Sequence, residues 1–171
     1  VLTKLVLERN SIMDEGAAAL GEALKTNKSL TELGLGSCEI GAEGGTALAA
    51  ALSEGSAVLT KLVLTHNKIE DEGAIALGEA LKVNKSLKEL DLGHCEIGAV
   101  GGKALAAALS EGSPVLTTLD LHDNDVGPGG AKALADAVAP FVSAGLATVI
   151  DWPGKAQQML AYDDAVVRAR Q

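Results

Sequence analysis

Residues 2–58 recur as residues 59–115 with 45 of 57 positions identical, and each copy divides again into a 28-residue and a 29-residue half. The unit starts are LTKLVL at Leu2, LTELGL at Leu30, LTKLVL at Leu59, LKELDL at Leu87 and LTTLDL at Leu116. A repeat this short cannot enclose a core of its own. It buries its apolar face only by stacking on its neighbours, so the chain is expected to form a solenoid.

Each unit carries two periodicities. In LTKLVLERNSI, Leu5 and Leu7 alternate with Lys4, Val6 and Glu8, which predicts a short strand with an inner and an outer face. After a turn at Asn10, DEGAAALGEALKTN places Gly16, Leu20 and Leu24 four residues apart, the spacing of one helix face, and Asp14 is expected to cap that helix. Strand, helix and next parallel strand form a right-handed crossover. The expected fold is therefore a right-handed α/β solenoid with a curved parallel sheet on the inside and helices on the outside.

The pattern L-x-x-L-x-L-x-x-N/C-x-I/V, followed by G-x-x-x-L-x-x-x-L/V, runs from Leu2 to about Val138, with Val126 and Val138 as conservative departures in the last unit. It resembles the leucine-rich repeat family, in the long, helix-containing subtype of ribonuclease inhibitor and NOD-like receptors. The turn position reads Asn10, Cys38, Asn67, Cys95, Asn124, and this alternation is also similar to ribonuclease inhibitor. The resemblance implies a horseshoe arc, an inward turn side chain bonded to the adjacent turn, and binding through the concave strand face. It extends to Ran GTPase-activating proteins and tropomodulins, so it implies a binding habit without naming a partner.

Five leucine-rich repeats are expected at 2–29, 30–58, 59–86, 87–115 and 116–139, followed at 140–171 by a degenerate sixth strand and a capping helix. In LATVIDW, Asp151 falls where an inward leucine is expected, and Gly154 to Arg168 reads as the closing helix. Phe141, Trp152 and Tyr162, all the aromatic residues of the chain, lie in this segment and suit a cap over a repeat end. Val1 opens directly on a strand, so the first repeat is expected to be covered by upstream repeats or by another subunit.

A formal charge of −9 excludes nucleic acid as the expected partner and favours a basic protein surface. The most apolar stretch, Ala133 to Ile150, is interrupted by Asp136, Pro140 and Gly145, so no membrane span is expected. No secretory signal is visible at the start. Cys38 and Cys95 lie two repeats apart, about 10 Å at the usual strand spacing, beyond disulfide reach. Free buried thiols fit the cytoplasm or another reducing intracellular compartment, where the sequons at Asn27 and Asn84 read as helix-end asparagines.

The outward strand positions form columns. The first is Lys4, Glu32, Lys61, Glu89, Thr118; the second Val6, Gly34, Val63, Asp91, Asp120; the third Glu8, Gly36, Thr65, Gly93, His122; and the fourth, beside the turn, Arg9, Ser37, His66, His94, Asp123. Alternating sign in the first column suggests a self-neutralising ladder. The partner-binding candidates are Lys4, Glu8, Arg9, Glu32, Lys61, His66, Glu89, Asp91, His94, Asp120, His122 and Asp123. The C-terminal end of this set is acidic. Between the two copies four of eight concave positions differ, against eight of the other 49, so change concentrates on this face.

Three histidines in consecutive repeats, with carboxylates beside them, have the residue types of a zinc site. An open sheet supplies few groups to orient imidazoles, so solvated histidines and no metal or other cofactor are expected. Catalytic residues are not expected either. The glycine clusters GAEGG, GAVGG and GPGG lack the Lys-Ser/Thr of a phosphate loop. The sequence thus reads as a non-catalytic protein-interaction module, part of a larger protein. The alternatives are a permanent structural subunit of a large assembly and a Ran-type GTPase activator, for which no arginine-bearing strand-end loop is visible.

Overall fold

The computed structural model describes residues 1–54, 58–111, 115–143 and 149–151, the last two segments by backbone alone beyond residue 140. Strands β1 (Lys4–Val6), β2 (Glu32–Gly34), β3 (Lys61–Val63), β4 (Glu89–Asp91), β5 (Thr118–Asp120) and β6 (Val149–Asp151) alternate with helices α1 (Met13–Thr26), α2 (Ala42–Ser53), α3 (Glu70–Val83), α4 (Ala99–Glu111) and α5 (Gly127–Ser143). The strands form one parallel sheet in chain order. Each helix contacts the next, giving the expected α/β solenoid.

Register follows the leucines. Leu5, Leu33, Leu62, Leu90 and Leu119 align across the sheet, and those from Leu33 onward are at most 1% exposed. A one-residue slip would turn this row outward, so burial pins the pairing. The helices close the core from the other side with Leu48, Leu52, Leu77, Leu81, Leu105, Leu109 and Leu134.

The turn residues stitch the layers. Asn67, 4% exposed, accepts hydrogen bonds at Oδ1 from the Cys38 and Ile40 N–H groups at 3.1 and 3.0 Å and donates through Nδ2 to the Leu35 and Leu64 carbonyls at 2.8 and 2.7 Å. Asn124 does the same for Cys95, Ile97, Leu92 and Leu121. At the intervening turns, Cys38 Sγ donates to the Leu7 carbonyl and Cys95 Sγ to that of Leu64. Both thiols are free and buried, and burial pushes Cys95 up to about 12. Asn84 Nδ2 donates to the Leu52 carbonyl while Oδ1 accepts from Ser86 and Leu87 N–H, so this amide ends a helix inside the fold.

Asp14 does not cap its own helix. The residue before α1 is Ile12, without a side-chain cap, and Met13 enters the helix at φ 57°. The Asp14 carboxylate instead accepts from Gly41 and Gly44 N–H, at 2.7 and 2.8 Å, at the start of α2. Asp71 does likewise for Gly98 and Gly101 at α4, both at 2.8 Å. The glycines are required by this approach, since a Cβ on Gly44 would lie 2.6 Å from Asp14 Oδ1. The 57-residue unit is therefore an internally capped pair, and Pro128 occupies the equivalent place in the fifth repeat. Asp71→Ala is expected to lower stability by about 1–2 kcal/mol in urea unfolding. A loss below ~0.3 kcal/mol, the level of an ordinary surface change, would show that the bridge adds nothing.

At the C-terminal end, α5 continues to Ser143, past the expected repeat end at 139 and through Pro140. The register corrects the reading of the sixth strand. Ile150 pairs with Leu119 and Asp151 with Asp120, so Asp151 stands in the row of outward residues and Ile150 in the leucine row. Trp152, Tyr162, the expected closing helix and the side chain of Phe141 lie outside the described residues.

Candidate interaction surface on the concave sheet

The first column forms as read, but in pairs. Lys4 Nζ meets Glu32 at 3.0 Å and Lys61 Nζ meets Glu89 at 2.7 Å, all four side chains at least 40% exposed. The hydrogen bond that Lys61 donates to Glu89 raises the Lys61 pKa above its usual value. At such exposure each pair contributes roughly 0–1 kcal/mol, enough to hold register and little more. Glu8 lies over Gly34, and Arg9 is exposed at the first repeat.

The fourth column shares an unusual backbone. Arg9, Ser37, His66, His94 and Asp123 have φ of 59°, 54°, 58°, 50° and 52°, a left-handed turn that non-glycine residues enter at roughly 1–2 kcal/mol. Repetition of that turn stacks the side chains. The His66 and His94 rings lie 4.1 Å apart and 12° from parallel; His94 and His122 meet edge to face at 5.0 Å.

Around these rings the acidic residues converge. His94 Nε2 is 3.0 Å from Asp123 Oδ2, and His122 Nδ1 is 2.7 Å from Asp120 Oδ1. The same Asp120 oxygen accepts from the His122 backbone N–H at 2.9 Å. Asp120 raises the His122 pKa above the usual imidazole value, chiefly through the side-chain hydrogen bond. Asp91 has its pKa raised chiefly by burial, against the lowering effect of the hydrogen bond it accepts from Gly93 N–H at 3.0 Å, with the Asp120 charge adding a smaller upward push. Gly93 makes this packing possible, because a Cβ there would collide with the His122 ring.

The structure thus brings His66, Asp91, His94, Asp120, His122 and Asp123 into one cluster and leaves Lys4–Glu32 and Lys61–Glu89 as separate pairs. It also shows a groove that the columns missed, where Glu39, Lys68, Glu96 and Asp14 join Ser37, His66 and His94 beside the turns. Glu39 and Glu96 sit at a second left-handed position, each at φ 57°. Their recurrence at 39 and 96 in the two copies is the signal that could have found them.

The geometry and the repeat pattern agree with the comparisons. The Leucine Rich repeat family model matches residues 1–21, 26–49, 55–78, 83–106 and 112–135, and the chain belongs to the leucine-rich repeat family. It is 38% identical over 121 residues to the NACHT, LRR and PYD domains-containing protein 13 of Homo sapiens, covering 70% of this chain and 11% of that protein. To the ribonuclease inhibitor of Mus musculus it is 32% identical over 150 residues, covering 71% of this chain and 33% of the inhibitor. The chain therefore spans about a tenth to a third of the length of these relatives. Among solved structures, Leiomodin-1 Actin-Binding Site 2 shares the fold with a TM-score of 0.61 at 17% identity, covering 98% of this chain and 80% of that one.

Proposed function

We propose that the chain is a non-catalytic protein-interaction module that binds a basic protein surface through the acidic C-terminal end of its concave sheet. One observation carries this reading. The lysines of the first column are paired with Glu32 and Glu89, whereas Asp120 and Asp123 pair with His122 and His94, and together with Asp91 these three carboxylates outnumber the one imidazole whose proton affinity is raised, so this end carries net negative charge. The burial that raises the Asp91 pKa means that an arriving cation relieves a desolvated carboxylate. Two further features support it: the concentration of copy-to-copy change on the concave face, where Gly34 of the first copy is Asp91 in the second, and membership in a family whose relatives include an inhibitor of ribonuclease.

Features of the described residues argue against catalysis. The thiols are buried, and Cys95 stays protonated at neutral pH. Two of the three glycine clusters, GAEGG and GAVGG, admit the Asp14 and Asp71 carboxylates rather than a phosphate. No described helix is long and apolar enough to cross a membrane. A reducing compartment suits the free thiols.

The test is charge reversal. With the chain as bait, replacing Asp91, Asp120 and Asp123 together by Lys should reduce recovery of basic partners in a pull-down by at least about tenfold, equivalent to ~1.4 kcal/mol. The wild-type interaction should also weaken as salt rises. Unchanged recovery by a triple variant that keeps its circular dichroism would remove the concave reading.

A further inference from the structure

The His94, His122 and Asp123 cluster has a geometry that neither charge steering nor repeat stacking needs. One ligand atom from each of the three lies within 4.8 Å of the other two. Zinc ligands at about 2.0–2.2 Å and tetrahedral angles are about 3.3–3.6 Å apart. Closing the difference takes side-chain rotation alone, because all three residues stand on two consecutive turns of a sheet whose register is fixed by buried leucines. His94 Nε2 and Asp123 Oδ2 already face each other at 3.0 Å.

The objection raised by the sequence was that an open sheet could not orient imidazoles. The structure answers it at His122. Asp120 accepts from Nδ1 at 2.7 Å, which fixes the tautomer with the proton on Nδ1 and leaves the lone pair of Nε2 for a ligand bond. A carboxylate behind a histidine is the usual support for a metal-bound imidazole, and its loss typically weakens metal affinity by about 10–100-fold. Asp120 is in turn held by the His122 backbone N–H. His94 is braced on its other face by the near-parallel ring of His66, and Gly93 leaves the space in which the His122 ring lies.

We propose that His94, His122 and Asp123 form a binding site for a divalent transition metal ion of the zinc class on the concave face, with Asp120 as the positioning residue for His122. Two imidazoles and one carboxylate favour zinc, cobalt or nickel over magnesium or calcium. The fourth position is open to water or to a side chain of a docked partner. Asp91 belongs to a second grouping, with Asp120 and His122, but there Asp120 would have to give up the hydrogen bond that orients the ring. The inference does not rest on the basic-partner reading, and it can stand if that fails.

The test uses the 171-residue chain, stripped of any affinity tag and treated with chelator, titrated with zinc chloride by calorimetry and with cobalt chloride by visible absorption at pH 7.5. One equivalent should bind with micromolar affinity, and cobalt should give the intense d–d bands of a four- or five-coordinate ion. His94→Ala, His122→Ala and Asp123→Ala should each weaken binding by at least about tenfold, while Asp91→Asn should leave it within about threefold. Asp120→Asn should weaken binding by about 10–100-fold, while Asp120→Glu, which keeps a carboxylate for His122 Nδ1, should restore part of that loss. All substituted side chains are at least partly exposed, and circular dichroism confirms folding. No heat at micromolar zinc, undiminished binding by a His94→Ala, His122→Ala double variant, or a loss that follows Asp91 rather than Asp123 would overturn the site.

Discussion

Asn67→Ala is expected to destabilise the chain by about 3–5 kcal/mol in urea unfolding, among the largest effects of any single polar substitution in it. The side chain joins four backbone groups from two consecutive repeats, with donors at Cys38 and Ile40 and acceptors at Leu35 and Leu64, all at 3.1 Å or less. At 4% exposure water does not replace it freely. Each buried group left without a partner costs about 1–3 kcal/mol, and partial relaxation keeps the four from adding fully. Asn10 provides the internal control. It is exposed and bonds the Leu7 and Glu8 carbonyls of its own turn, so Asn10→Ala should cost about 1 kcal/mol or less. If the two alanine variants unfold within ~1 kcal/mol of each other, the turn amides do not carry the coupling between repeats.

That contrast shows what was legible in the letters. The leucine period sets the register, and the register sets the columns, so Lys4 beside Glu32 and Lys61 beside Glu89 could be read before any coordinates. What failed were contacts between repeats that do not run along a strand column. Asp14 reads as a cap for the helix it opens, because periodicity describes an element and is silent on its neighbour. Only the left-handed entry at Met13 and the missing Cβ at Gly44 send the carboxylate across to α2. The sixth strand failed for a different reason. Leu146, Val149 and Asp151 fit the leucine spacing, yet the sheet pairs Ile150 with Leu119, one residue away. With a strand of three residues, a slip of one exchanges the two faces completely.

The candidate site was half legible in the same sense. Parallel register alone puts His66, His94 and Asp123 in one column. The orientation of the rings is not encoded in spacing. It depends on the room above Gly93 and on Asp120 reaching His122 Nδ1, which are contacts between side-chain tips. An expectation of freely solvated histidines therefore missed a packed and hydrogen-bonded group.

Leu62→Ala is the second large effect, expected at about 3 kcal/mol. Leu62 is 1% exposed, and on β3 it stands between Leu33 and Leu90, so the cavity is walled by three repeats. None of these walls can close in, because the strand spacing is fixed by the backbone ladder and the helix spacing by close contacts such as Gly78 against the Ala104 carbonyl, where an added Cβ would approach to 3.0 Å. Leu5→Ala removes the same atoms from β1, where the residue is already partly exposed and little cavity remains, so about 1 kcal/mol is expected. Position should alter cooperativity as well as stability. Stability in a solenoid is the sum of repeat terms and nearest-neighbour interfaces, and Leu62 belongs to the interfaces on both sides of the third repeat. Its loss should uncouple the first two repeats from the last two, broadening the urea transition and lowering its apparent m-value, while Leu5→Ala keeps a single sharp transition. Equal losses with equal m-values in both variants would mean that the repeats unfold as one unit whatever happens at the centre, and that the 57-residue duplication is a feature of sequence without an energetic counterpart.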